Sequence, residues 1–238
     1  MTTSSGGDDR RPDSLQVGLL VFPDITQLDL TGPLQVFSSV PGITVHLVWK
    51  DLGPVSSDTP LVLLPTTTFD DCPQLDVICV PGGLGTDALL EDDLVLGFLR
   101  SQAEGARYVT SVCTGALVLG AAGLLQGYRA TTHWSAIDCL APFGAIPTKT
   151  RVCIDRNRVT GGGVTAGIDF ALTLVAELVG RSAAEAAQLR LEYNPAPPFD
   201  AGSPDSAPPP VVDSYLERTR SSKATRVAAV ARAASRLA

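Results

Sequence analysis

Two hydrophobic rhythms alternate along the chain. Continuous apolar runs occupy residues 15–22 (LQVGLLVF, ending at Pro23), 43–49 (ITVHLVW), 61–64 and 77–80, the last closing in Pro81-Gly82-Gly83. Short runs of this kind, bounded by Pro or Gly, predict buried strands. Between them, apolar residues recur near helical spacing. Residues 27–40 predict one helix, with Asp29 close to its start and Thr31-Gly32-Pro33 in its first turn, where proline is tolerated. Residues 87–103 predict another, acidic early and carrying Arg100 near its end.

The same rhythms continue in the second half. Residues 106–111 alternate like a strand, and residues 115–120 are Ala/Leu/Gly-rich at helical spacing. A short strand over 129–132 and a short helix over 134–140 follow. Residues 151–160 predict a hairpin turning at Asp155-Arg156-Asn157. Gly161-Gly162-Gly163 then opens a helix over 164–179. In residues 182–193, Ser182 and Glu185 have the spacing of a capping box. Residues 195–210 are too rich in Pro, Ala and Ser for regular structure, and 211–238 form an Arg/Ala-rich, helix-compatible arm. Strands alternating with helices predict an α/β fold: a flavodoxin-like three-layer sandwich with a mainly parallel sheet and helices on both faces. Residues 15–210 would form this domain. Residues 1–14 are polar, lack the apolar core of a secretory signal, and read as a disordered tail.

In such sheets ligands bind at the C-terminal strand ends. That rule gathers Asp29, Pro81-Gly82-Gly83 and Val112-Cys113-Thr114. Cys113 stands at the joint of strand and helix, with its sulfur at the positive end of the helix dipole, an environment that favours thiolate. Asp29, flanked by leucines, is either a helix cap or a buried functional group. Beside a thiolate it would hold its proton more tightly and serve as a general acid near neutral pH. Gly82 and Gly83 read as a turn whose N–H groups also face the ligand. Gly161-Gly162-Gly163 would let its helix approach the cysteine closely. His133, about one βα unit downstream, reads as a structural, hydrogen-bonded histidine.

Composition narrows the classes. The net charge of −7 argues against nucleic acid as a partner. The basic residues Arg218, Arg220, Lys223, Arg226, Arg232 and Arg236 read as the solvated face of a terminal helix. No apolar run has the length of a membrane span. The five cysteines are odd in number and form no Cys-x-x-Cys pair, so neither a disulfide framework nor a zinc site is expected. A reducing, cytoplasmic setting follows.

Several segments together resemble a known family: Gln27-Leu28-Asp29-Leu30-Thr31-Gly32-Pro33, Val80-Pro81-Gly82-Gly83, Ser111-Val112-Cys113-Thr114-Gly115, Ala130-Thr131-Thr132-His133-Trp134, Gly161-Gly162-Gly163-Val164 and Leu191-Glu192-Tyr193-Asn194-Pro195. They resemble the isocyanide hydratases of the PfpI-like superfamily, which has the class I glutamine-amidotransferase-like fold. The likeness spans about four-fifths of the chain. It implies Cys113 as nucleophile, Asp29 as acid and base, and Thr114 as a donor beside them. Gly82, Gly83, Gly162 and Val164 would line the substrate site. It also implies an isocyanide substrate, no cofactor or metal, and a symmetric homodimer against which the C-terminal arm would lie. In the protease-like branch a His follows the cysteine and a Glu replaces the aspartate; here Thr114 and Asp29 stand in those places, which counts against peptidase and glyoxalase-type activities. A redox- or electrophile-sensing protein and a non-catalytic ligand-binding domain are the alternatives.

Overall fold

The structure is a computed structural model that describes residues 14–237. The expected N-terminal tail thus lies outside the described residues, apart from Ser14. A seven-stranded sheet forms the middle layer. β1 (Leu15–Leu20) leads through α1 (Gln27–Ser38) to β2 (Ile43–Trp49), which pairs with it in parallel. β3 (Val55–Ser56) and β4 (Val62–Leu63) make a separate antiparallel ribbon, and β5 (Thr67–Thr68) extends the main sheet beyond β2. β6 (Val77–Val80) then lies on the other side of β1. After α2 (Thr86–Leu89) and α3 (Asp93–Gly105), β7 (Tyr108–Val112) pairs with β6 and leads into α4 (Gly115–Ala121).

β8 (Arg129–Ala130) and β9 (Ile146–Pro147) form a small parallel ribbon. The hairpin of β10 (Val152–Asp155) and β11 (Arg158–Gly161) completes the sheet through β11 on β7. α5 (Ala166–Leu178), α6 (Arg181–Arg190) and α7 (Pro209–Ser235) follow. The strand order is β10-β11-β7-β6-β1-β2-β5, with only β10 antiparallel to its neighbour. α1 packs on α5 and α5 on α6, while α4 packs with α2, α3 and α7; the two groups flank the sheet. Val17, Leu19, Val77, Val80, Val109 and Val112 are fully buried between the layers. Each such side chain contributes about 1.5–3 kcal/mol of transfer free energy. The expected sandwich is therefore present.

Four local expectations are corrected. Residues 87–103 are two helices, because the Asp92 carboxylate accepts the Val95 N–H at 3.2 Å and caps a new start. The capping box at Ser182 does not form: the helix starts one residue earlier, and Glu185 pairs with Arg181 at 2.6 Å. Pro33 lies seven residues into α1 rather than in its first turn. Close packing on α5, where Gly167 leaves room for the proline ring and Gly32 meets Ile168, outweighs the lost helix hydrogen bond. Of the three glycines, Gly161 ends β11, and α5 begins only at Ala166.

The largest correction concerns the C-terminal arm. Its distal half does not leave its own subunit. Ala229, Val230 and Ala233 are buried. Of the basic residues read as a solvated face, Arg218, Arg220 and Lys223 are exposed as expected, but Arg226, Arg232 and Arg236 meet acids between the start of α2 and the start of α3. Arg226 pairs with Asp87 at 2.7 Å, Arg232 with Glu91 at 2.8 Å, and Arg236 with Asp93. A basic helix on an acidic strip of a negative chain is electrostatically matched, and the alanines permit close approach.

Candidate active site

β1 sends the chain one way to β2, while β6 lies on its other side, so a crevice opens between the C-terminal ends of β1 and β6. Three segments fill it: α1 after β1, the glycine loop after β6, and the turn after β7. In that turn Cys113 has φ of +55°, the left-handed region, at a cost of about 1–3 kcal/mol for a residue with a Cβ. The surroundings hold the strain. The Cys113 N–H is shared by the carbonyls of Gly161 (3.0 Å) and Gly162 (2.9 Å), and the Thr132 hydroxyl donates to the Cys113 carbonyl at 2.7 Å. Gly115, the first residue of α4, passes so near β6 that a Cβ would stand 1.9 Å from the Val80 oxygen.

Asp29 is fully buried and Cys113 is 6% exposed. The Asp29 Oδ2 accepts the Gly82 N–H at 3.1 Å, 53 residues away, so Asp29 is not a cap of its own helix. Its Oδ1 has no protein partner. Burial, partly offset by hydrogen bonds from the Cys113 thiol and the Gly82 N–H, pushes its pKa up to about 7. Gly82 makes this approach possible, because a Cβ there would fall 2.7 Å from the Cys113 Cβ and 2.8 Å from the Asp29 Oδ2.

The Cys113 thiol is likewise pushed up, first by burial and then by the Asp29 charge, with the Thr114 N–H acting the other way. An independently depressed thiol pKa, expected from the helix terminus, is thus corrected. The dipole of a two-turn helix does not offset desolvation beside an acid. Burial pushes both members of the Asp29–Cys113 pair up, and the two titrate as a pair. The other four cysteines are free and also pushed up by burial.

The glycine loop differs from expectation. The Gly82 N–H is taken by Asp29 and the Gly83 N–H by the Thr114 hydroxyl at 3.0 Å, so neither is directed at a ligand. Buried N–H groups need partners, and these are found inside the protein. The Thr114 hydroxyl thus ties the nucleophile turn to the loop, and its N–H faces the sulfur. Gly162 joins the site through its carbonyl on Cys113. Val164 stands half-buried in the turn before α5. His133 bonds Ser135 through Nδ1 at 2.8 Å and packs near Trp134 and Tyr215.

Thr86, Thr132, Asp58 and Arg226 were not singled out for this site from sequence. Thr86 donates to the Gly83 carbonyl at 2.7 Å, and the Asp58 charge adds to the upward push on Asp29. Thr132 lies in the quoted Thr-Thr-His-Trp segment, which is a usable signal; the other three have none nearby in sequence. Among the described residues, no group of three or more His, Cys, Asp or Glu side chains could hold a metal ion. Nor is any helix of the described residues long and apolar enough to cross a membrane.

The chain that builds this site has counterparts among known proteins. The DJ-1/PfpI family model matches residues 15–177. The chain belongs to the DJ-1/PfpI family. Within it, the chain is 63% identical to the isonitrile hydratase of Pseudomonas putida, over 94% of this chain and 98% of that one. The crystal structure of a THiJ/PfpI family protein from Pseudomonas syringae superposes with a TM-score of 0.89 at 46% identity, covering 96% of this chain and 97% of the other. Drosophila melanogaster DJ-1beta aligns at a TM-score of 0.67 and 26% identity, with 98% of its chain on 75% of this one. The DJ-1/PfpI core thus ends well before α7.

Proposed function

We propose that this protein is an isocyanide hydratase, adding water to R–NC to give an N-substituted formamide. The observation that carries this is the isolated Asp29–Cys113 pair: one acid whose pKa is pushed up to about 7, one thiol, and a His133 ring whose Nδ1 is engaged by Ser135. The similarity to the P. putida isonitrile hydratase, over nearly the whole of both chains, supports the same reaction.

The terminal carbon of an isocyanide accepts both a nucleophile and a proton, which suits this pair. The Cys113 thiolate forms an S–C bond while protonated Asp29 delivers its proton to the same carbon, giving the thioimidate R–N=CH–S–Cys113. Asp29, now a carboxylate, takes a proton from water as the hydroxide adds to that carbon. The added hydroxyl's proton passes to nitrogen, the C–S bond breaks, and the formamide leaves. Cys113 is again a thiolate and Asp29 again an acid. One carboxyl serves as acid and then base, which is why no histidine is required. The near-complete burial of both groups suits a slim, linear –N≡C head group entering end-on. Thr114 and the Gly82-Gly83 loop hold the pair in place, Gly162 braces it through its carbonyl on the Cys113 N–H, and Val164, in the turn before α5, is assigned to the substrate side of this proposal.

The burial of Cys113 counts against an electrophile sensor, which needs an accessible low-pKa thiol. Five free cysteines suit a reducing, cytoplasmic setting, and a symmetric homodimer is the assembly this proposal carries. Incubation with cyclohexyl isocyanide tests the function. Stoichiometric formation of N-cyclohexylformamide, with Cys113→Ala inactive, is the expected result; a folded enzyme that leaves a panel of alkyl and aryl isocyanides unchanged would refute it.

A further inference from the structure

The C-terminal helix carries one charge down to the active-site loop. Arg226 lies in the distal half of α7 with its side chain only 12% exposed. Its Nε donates to the Asp87 Oδ1 at 2.7 Å, and its Nη2 points at the Gly83 carbonyl oxygen at 3.5 Å. That oxygen also accepts from the Thr86 hydroxyl and lies 3.2 Å from the Thr114 hydroxyl. The Gly83 peptide is therefore a junction where α2, the nucleophile turn and α7 meet.

Arg226 is not needed merely to fasten the helix. Ala229, Val230 and Ala233 supply a buried apolar seam, and the Arg232 and Arg236 pairs lie farther along. Burying a guanidinium and a carboxylate costs desolvation that an exposed pair avoids. A pair placed inward, against the loop that positions Asp29 and Cys113, points to a use at the site. α7 lies wholly beyond residue 177, where the family-wide match ends, so this contact is an addition to the shared core.

We propose that Arg226 is a positioning residue for the reaction at Cys113: it fixes the Gly82-Gly83 loop against the nucleophile and sets a positive charge beside the thiolate. The role in turnover rests on the hydratase function proposed above. The charged groups acting on Cys113 are Asp29 from α1 and Arg226 from α7. Asp87 of α2 faces Arg226, Asp58 acts on Asp29, and burial and Arg226 itself lower the pKa of His133. Arg226 favours the Cys113 thiolate.

The test reads the pH dependence of iodoacetamide alkylation at Cys113, located by peptide mapping, together with kcat and KM for cyclohexyl isocyanide. Arg226→Gln should raise the alkylation midpoint and lower kcat about tenfold, with KM within about twofold. Asp87→Asn, which leaves the arginine charge unneutralised, should move the midpoint down. Arg226→Lys should restore the wild-type midpoint. An unchanged midpoint in folded Arg226→Gln overturns the proposal. So does a loss of kcat in both variants that merely follows a loss of thermal stability. A shifted midpoint in a protein that hydrates no isocyanide would refute the hydratase function and leave the assignment of Arg226 to Cys113 standing.

Discussion

Cys113 and Arg226 approach the same Gly83 loop, but the chain brings them there by different means. Cys113 is placed by neighbours in sequence: a buried strand, a left-handed turn and a glycine that lets the next helix start against β6. Arg226 is placed by a helix that begins about a hundred residues later and is held by alanines and ion pairs. The first arrangement stores strain and buries an acid to create reactivity. The second adds charge and bracing to a site already assembled. Disrupting the first should abolish chemistry while sparing the fold; disrupting the second should lower the rate about tenfold where Arg226 is changed and mainly the stability where the alanine seam is changed.

The sharpest break in that comparison is Cys113→Ala. It should remove all measurable hydration while leaving thermal unfolding close to wild type, because alanine keeps the Cβ and with it the left-handed strain of the turn. Residual turnover above about one-thousandth of wild type would deny the covalent route. Asp29→Asn comes next, with kcat reduced by two or more orders of magnitude. It has a second readout. The folded-state pKa of Asp29, about 7, lies above its ordinary value of 3.8, so the folded state binds the extra proton and stability should fall as pH rises from about 4 to about 7. The asparagine variant should lose that slope, worth at most about 4 kcal/mol, as checked by urea unfolding at several pH values.

On the other side, Ala233→Glu places an unpaired charge in the α7 seam and should cost about 2–4 kcal/mol. Its kcat at temperatures where it remains folded should stay within a few-fold of wild type. The smallest effect is expected at Gly162. A Cβ there would lie 3.5 Å from the nearest atom, the Arg151 oxygen, so Gly162→Ala fits and should change stability by less than about 1 kcal/mol. Because its carbonyl holds the Cys113 N–H, the kinetics should change more than the stability. An unchanged rate with a lowered melting temperature would make this glycine only a turn.

The same contrast governs what the sequence makes legible. β1, β2, β6 and β7 are readable because buried parallel strands leave continuous apolar runs, and the sheet follows from their alternation with helices. Cys113 and Asp29 are readable for the same reason, since the strand-end rule gathers them without any knowledge of contacts. β4 and β8 fall within the runs at 61–64 and 129–132, whereas β3, β5 and β9 are too short to leave a period. The break at Asp92 was hidden because a capping aspartate resembles any acidic residue early in a helix. The partners of the Gly82 and Gly83 N–H groups were misread, since whether a buried donor faces a ligand or a side chain is fixed by three-dimensional packing. Arg226 was the least legible: 143 residues separate it from Gly83, and an arginine on an Ala/Arg helix looks like any solvated one.

Whether Cys113 and Asp29 form and break a bond to the isocyanide carbon is tested most directly by trapping the intermediate. Wild-type enzyme mixed with cyclohexyl isocyanide and quenched in acid during turnover should gain the mass of one isocyanide molecule, mapped to the peptide containing Cys113. Asp29→Asn should show this adduct formed far more slowly. Continued formamide production with no adduct on Cys113, or an adduct on another cysteine that turns over at the catalytic rate, would contradict the account.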